Sequence, residues 1–170
     1  MFISKLPLTL FLASAIAGPL TVYAQDVTAQ GRDHDQPYSV ASLNGEFALV
    51  GTYTGGSQAA RQLGVVHFED GNVTGFLRVN VQGSTPKQRV VVYISFTGTT
   101  TIAEDGTGVG TLTVTYPDGS LHPATLDVLI TKAHESRGMK IATEVASMQR
   151  ETPALSPGSL IVNTLTRRPE

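Results

Sequence analysis

One stretch, residues 89–132, constrains the fold more than any other part of the sequence. It reads RVVVYISFTGTTTIAEDGTGVGTLTVTYPDGSLHPATLDVLITK, with three long β-prone runs separated by two turn signals. The turn signals are Asp105-Gly106 and Pro117-Asp118-Gly119. Asp-Gly between alternating apolar runs is the strongest short-range signal for a β-hairpin. The stretch therefore predicts a three-stranded antiparallel meander.

The middle run of this meander has the alternation of a strand that is buried on one side. Leu112, Val114 and Tyr116 fall on one face, and Thr111 and Thr113 fall on the other. Side chains alternate with period two along a strand, and β-branched threonine suits a solvated sheet surface. The run therefore predicts a strand with an apolar inner face and a threonine-rich outer face.

The rest of the chain predicts five further strands with short turns between most of them. They are residues 46–54, 62–69, 73–82, 139–149 and 159–166. Residues 139–149 also place Ile141, Val145 and Met148 at helical spacing, but a strand is favoured because the neighbours are strands and a Gly turn precedes the run. The pattern predicts an all-β fold, an antiparallel up-and-down barrel of about eight strands, with a two-sheet β-sandwich as the alternative.

The amino terminus has the pattern of a targeting segment. A weakly basic start precedes the apolar run Leu6–Leu20, and Val22-Tyr23-Ala24 provides small residues at the cleavage positions. An earlier cleavage after Ala17 is the alternative. We therefore predict an exported protein, periplasmic or secreted, without integral membrane insertion after cleavage. The predicted division is a signal peptide (1–24), a disordered leader (25–40), one barrel domain (41–166) and a frayed tail (167–170).

Composition excludes several classes of function. The 170-residue chain has a formal net charge of -2 and no cysteine. Without a basic surface no nucleic-acid partner is expected. The absence of cysteine excludes disulfides, thiol catalysis and Cys-based metal sites.

No catalytic or metal-binding motif stands out. His34, His67, His122 and His134 are scattered, and no pair has the spacing of a zinc motif. Asp33-His34-Asp35 is interpreted as part of a solvated tail. The chain has no Gly-x-Ser-x-Gly element of a serine hydrolase. We therefore predict no catalytic residues, no metal site and no cofactor, and a non-enzymatic role is favoured.

Three aromatic residues are the candidates for a ligand site. Phe47, Tyr53 and Tyr116 all fall on the apolar parity of their strands. A buried tyrosine needs a partner for its hydroxyl, so such residues suit a ligand at the mouth of a barrel. Packing in the core is the simpler interpretation of the same pattern.

The turn and strand segments also carry a resemblance to a known group. They are Ala41–Gly45, Val66–Gly75, Glu104–Gly108 running into Thr111–Thr113, and Leu165–Arg168. On these segments most of the chain resembles small secreted bacterial β-barrel proteins, which are similar to the calycin-like barrels of the lipocalin and allene oxide cyclase type. The lipocalin Gly-x-Trp signature is missing, since the chain has no tryptophan. The resemblance therefore implies a fold and carries over no functional residue.

Three hypotheses of function follow from these patterns. The leading one is an exported, non-enzymatic β-barrel that binds a small apolar ligand or acts as a structural or interaction module. The second is a cofactor-free cyclase or isomerase acting on a lipid-like substrate, which the resemblance allows and which requires polar groups inside the barrel. The third is a surface or matrix adhesion protein that uses its threonine-rich outer face. The sequence leaves the oligomeric state open.

Overall fold

The alternating runs form eight antiparallel strands. The computed structural model describes residues 36–54, 59–85, 87–150 and 160–169. The strands are β1 Gly45–Thr54, β2 Ala60–Glu69, β3 Asn72–Gln82, β4 Arg89–Ile102, β5 Thr107–Thr115, β6 Leu121–Ser136, β7 Met139–Gln149 and β8 Leu160–Arg167. Residues 139–149 form a strand, as predicted, which pairs with β6 on one side and β8 on the other.

The eight strands close into a single barrel. Each strand pairs with the next along the chain, and β1 pairs with β8 in antiparallel register from Phe47 opposite Arg167 to Thr54 opposite Leu160. The predicted up-and-down barrel is confirmed, and the alternative of a two-sheet sandwich is excluded by this closure. Closure pairs both potential edge strands, which leaves no open sheet edge.

The Asp-Gly signals form turns that the aspartate side chains hold in place. Asp105 Oδ1 accepts hydrogen bonds from the Thr107 amide (2.9 Å) and from Thr107 Oγ1 (2.7 Å). Asp118 Oδ1 accepts the equivalent pair from Ser120 at the same two distances. These hydrogen bonds lower the pKa of both carboxyls below the ordinary value of 3.8. The glycines that follow, Gly106 and Gly119, have φ of 87° and 82°, which favours glycine.

One end of the barrel is closed by the segment that precedes β1. A 3-10 helix, Val40–Ser42, packs against β4 and β7 and places Leu43 in the barrel end, where it is 1% exposed. Just before it, the Tyr38 amide donates a hydrogen bond to the Glu104 carbonyl (3.1 Å). Of the predicted leader, residues 38–40 thus lie against the barrel, Gln36 and Pro37 are exposed, and residues 25–35 and the signal peptide lie outside the described residues.

Arg167 completes this closed end. Its guanidinium donates hydrogen bonds to the carbonyls of Ala142 (2.6 Å), Asn44 (2.6 Å), Leu43 (3.2 Å) and Ser42 (3.3 Å). The same group lies 4.7 Å from the ring centroid of Phe47, which is fully buried. Arg167 therefore differs from the expectation of a frayed tail at 167–170, because it ends β8 and is held by four carbonyl groups.

The opposite end of the barrel, here called the rim end, is where β1, β3, β5 and β7 finish. Inward-facing side chains there, such as Tyr53, Val81 and Val92, keep part of their surface exposed. Residues 55–58, 86 and 151–159 lie outside the described residues. In the described part of the chain, no helix is long and apolar enough to cross a membrane.

Candidate functional site: an interior cavity

The barrel interior holds a cavity of about 290 Å³ that extends toward the rim end. Its wall is mainly aliphatic, because the inward parity of most strands carries Val, Leu, Ile or Ala. Leu77, Val79, Ile94, Val114 and Leu126 are among these lining residues. The wall is therefore suited to the apolar part of a small molecule.

A row of three polar side chains interrupts the apolar wall. It consists of Gln62 on β2, Asn163 on β8 and Ser147 on β7, here called the polar row. The three residues are 5%, 5% and 6% exposed, and all line the cavity. Gln62 Nε2 donates to Asn163 Oδ1, and Asn163 Nδ2 donates to Ser147 Oγ at 3.2 Å. The row is thus a hydrogen-bonded network inside the barrel.

Strand register explains why these side chains meet. Gly51 on β1 lies opposite Gln62 on one side and opposite Asn163 on the other, and Asn163 lies opposite Ser147. All four residues therefore lie at one level of the barrel. A Cβ at position 51 would collide with Asn163 Oδ1 and approach Gln62 Nε2 to 2.8 Å. The missing side chain of Gly51 leaves the space in which the two amides hydrogen-bond.

At the rim end, two tyrosines and a histidine border the cavity. Tyr53, Tyr116 and His122 all line it, and the rings of Tyr116 and His122 pack edge to face with centroids 5.0 Å apart. Burial raises the pKa of Tyr116, and the nearby Tyr53 adds to that effect. The Tyr116 phenol is therefore neutral at neutral pH.

His122 also has a hydrogen-bond partner in the turn between β5 and β6. Its Nε2 lies 3.3 Å from Ser120 Oγ, which donates in turn to Asp118 Oδ1. In a hydrolase triad the carboxylate orients the imidazole and the imidazole takes the serine proton. Here the carboxylate of Asp118 accepts a hydrogen bond from the serine hydroxyl itself and does not contact the imidazole in the way a triad requires. The three groups are therefore arranged as parts of a turn and not as a catalytic triad.

The structure places the sequence-predicted site residues in two different regions. Tyr53 and Tyr116 line the cavity near the rim end. Phe47 lies at the closed end, outside the cavity wall, where it packs edge to face on Phe68 with centroids 5.5 Å apart. Its position matches the core interpretation of the pattern. Whether any of the three contacts a ligand stays a prediction.

The polar row was not identified from the sequence, although part of its signal was present. Gln62 has the parity of Val66 and Phe68, and Asn163 has that of Leu165. Polar residues at inward positions of otherwise apolar strands were therefore detectable. The register that brings them to one level of the barrel joins residues 101 positions apart and has no local signal.

Formal charges lie outside the cavity in the described part of the chain. Its described lining contains no Asp, Glu, Lys or Arg. Asp127 points outward, as predicted, and pairs with Arg150 on the surface at 2.6 Å. The described residues contain no cluster of three or more His, Asp or Glu side chains arranged to hold a metal ion.

The fold and the cavity together define a closed, eight-stranded antiparallel barrel with a mainly apolar interior. Comparison of the chain with protein-family models, curated proteins and solved structures found no match.

Proposed function

We propose that this protein is an exported barrel that binds a small, mainly apolar ligand in its interior. The observation that carries the proposal is the cavity of about 290 Å³ with its aliphatic wall. Ligand sites are typically concave, lined mostly by apolar side chains with a few polar groups, and about 300 to 1,000 Å³ in volume. The cavity, at about 290 Å³, lies just below that range, which suits a small molecule. The signal peptide expected at residues 1–24 supports export.

The first test is the mass of the native protein compared with its mass after denaturation. The mature chain purified from its own host is expected to show a reproducible excess mass in the native state. A protein stripped of that ligand should take up an apolar fluorescent probe. If the stripped protein takes up neither the extracted compound nor the probe, the binding proposal is wrong.

A second test fills the cavity with a larger side chain and compares the result with a matched control variant on the same strand. Ala124 lies on β6, lines the cavity and is 5% exposed, so Ala124→Phe places an aromatic ring in the binding space. We expect probe uptake to fall at least about tenfold, because the phenyl ring occupies the volume that the probe needs. Leu129→Phe adds an aromatic ring at a position of the same strand that is 45% exposed. That control should bind like the wild type, and thermal melts verify that both variants are folded.

The enzyme hypothesis keeps one supporting observation. A cyclase or isomerase needs polar groups inside the barrel, and the polar row and the Tyr116–His122 pair line the cavity. Chromatography of the extracted ligand before and after incubation with fresh protein tests this candidate. Conversion to an isomer that Tyr116→Phe abolishes would support catalysis, and an unchanged ligand would favour binding alone.

A further inference from the structure

The polar row presents an unpaired hydrogen-bonding group to the cavity. Gln62 uses its amide nitrogen in the bond to Asn163, and among the described residues nothing donates a hydrogen bond to Gln62 Oε1. No side-chain polar atom of the described residues is both fully buried and without a partner. Gln62 Oε1 must therefore touch free space, and the free space beside it is the cavity. A buried acceptor of this kind is stabilised by a donor from a ligand or from water.

Thr100 on β4 extends the same argument to a second point of the wall. It is 5% exposed and lines the cavity, and no hydrogen bond of its hydroxyl is found within the described chain. The hydroxyl can both donate and accept. The interior therefore offers neutral polar groups at more than one place.

The described cavity lining lacks a strongly acidic or basic side chain that could pair with the charge of a charged ligand. The described lining contains no Asp, Glu, Lys or Arg side chain, and its histidine, His122, lies at the rim end. Arg89 and Arg150, which lie at the rim end, are held outside the cavity, Arg89 by Asn80 Oδ1 at 2.8 Å and Arg150 by Asp127. Moving a carboxylate from water into such an interior without a partner is strongly unfavourable. A neutral hydroxyl has a much smaller desolvation cost, which one or two hydrogen bonds offset.

We infer that the ligand is an uncharged, mainly apolar molecule whose single neutral polar group, such as a hydroxyl, hydrogen-bonds to Gln62 in the polar row. The inference rests on the proposed binding function and specifies the ligand class for the same cavity. It separates this barrel from carriers of fatty acids, since no Lys or Arg side chain belongs to the described lining.

Three probes with the same carbon chain test the inference. Binding of decane, 1-decanol and decanoate to the stripped full-length mature protein is measured by displacement of an apolar fluorescent dye at about pH 8, where the carboxylate is ionised. We expect 1-decanol to bind at least about tenfold more tightly than decanoate. We also expect it to bind about threefold to tenfold more tightly than decane, the effect of one net hydrogen bond.

A variant with an apolar row provides the matched control. Gln62→Met, Asn163→Leu and Ser147→Ala together remove every member of the network, so no partner is left unpaired, which is the least disruptive way to delete buried hydrogen bonds. This triple variant should bind decane at least as well as the wild type. Its preference for 1-decanol over decane should disappear.

The possible results separate the two proposals. Decanoate binding as tightly as 1-decanol to the wild type would overturn the inference and leave the binding function intact, since the head group would then remain at the rim. Unchanged preference for 1-decanol in a folded triple variant would also overturn it. If the dye binds but none of the three probes displaces it, the inference is wrong and the binding function stands. If the dye does not bind either, the binding function itself fails. The comparison of probes on the wild type needs no variant, so misfolding of the triple variant does not block the test.

Discussion

Arg167 stabilises the closed end more than its position near the end of the chain suggests. Its guanidinium satisfies four backbone carbonyls from the segment before β1 and from β7, and it covers the Phe47 ring. Those carbonyls are partly buried, so they have little access to water as a substitute partner. Removal of the guanidinium should therefore destabilise the barrel through several unpaired groups at once.

The adjacent arginine offers a matched comparison. Arg167→Leu is expected to lower the free energy of unfolding by more than about 2 kcal/mol, since it leaves buried carbonyls unpaired. Arg168→Leu removes the same charge but breaks only an exposed ion pair with Glu46, so it should cost less than about 1 kcal/mol. Urea unfolding of both variants measures the difference. Equal effects would show that the closed end does not depend on Arg167.

At the scale of single strands, the inward glycines differ in the space around them. A Cβ on Gly98 of β4 would collide with the Thr111 carbonyl of β5 and lie 2.8 Å from Leu112 Cα. A Cβ on Gly110 of β5 would have Thr100 Oγ1, at 3.4 Å, as its nearest neighbour. Backbone atoms cannot move aside as a side chain can, so of these two glycines Gly98 is the one that the close approach of β4 and β5 requires.

Alanine substitutions test this difference. Gly98→Ala is expected to cost about 1 to 3 kcal/mol of stability, as overpacked interiors do, because β4 and β5 must separate. Gly110→Ala should be neutral or stabilising by up to about 1 kcal/mol, since it reduces the freedom of the unfolded chain. Thermal unfolding of the two variants checks the order. A Gly98→Ala protein as stable as Gly110→Ala would contradict it.

The two Asp-Gly turns make stability depend on pH in a defined direction. The folded pKa values of Asp105 and Asp118 lie below the ordinary value of 3.8. The unfolded chain therefore binds protons at a higher pH than the folded chain. The stabilisation is complete above the ordinary pKa and is lost as the pH falls through the folded pKa.

Replacing both aspartates by asparagine separates the turn from the titration. The Asp105→Asn/Asp118→Asn variant keeps a side-chain oxygen that accepts from the backbone, but that oxygen does not titrate. We expect its urea midpoint to fall less steeply than that of the wild type between about pH 4 and pH 2. Asp127 and Glu144 also have lowered pKa values, so part of the slope remains. The Glu69→Gln/Glu104→Gln variant removes the same number of charges and is the control. An identical slope in the aspartate variant would refute the argument.

Local patterns were sufficient to predict the elements, and they failed where distant strands meet. Alternation and Asp-Gly signals predicted the eight strands, because each depends on neighbours within a few residues. The outward direction of Asp127 followed from parity alone. The row of Gln62, Asn163 and Ser147 did not follow, because it depends on the pairing of β1 with β8. Arg167 was missed for the same reason, since its partners lie on β7 and in the segment before β1.

At the scale of the whole molecule, both ends of the barrel chain lie at the closed end. The Arg168 amide donates a hydrogen bond to the Glu46 carbonyl (2.9 Å), which joins the end of β8 to the start of β1. The turn at Arg137-Gly138, between β6 and β7, is at this end too, and no atom lies within 4 Å of a Cβ at Gly138. The chain can therefore be joined at its two ends and opened at this turn, which changes the order of the strands along the chain but keeps every pair of hydrogen-bonded strands.

A circular permutant tests whether closure alone defines the fold. Residues 36 and 169 are joined by about eight Gly and Ser residues, which span roughly 16 Å on average, and new ends are made between Arg137 and Gly138. We expect the permutant to fold, since every strand pair is kept. Its affinity for the same apolar probe should be within a few-fold of that of residues 36–169 in their original order. A permutant that folds without binding would show that the cavity depends on chain order.

The polar row crosses the seam at which the first and last strands meet. Gln62 belongs to the second strand to be synthesised, and Asn163 belongs to the last. A nascent chain that has reached β7 already contains most of the aliphatic wall, yet it lacks Asn163 and therefore the hydrogen bonds that arrange the amide of Gln62. The polar row is thus complete only once β8 has paired with β1 and β7. A chain that stops before β8 would leave the aliphatic wall open along β1 and the amide of Gln62 without its partner.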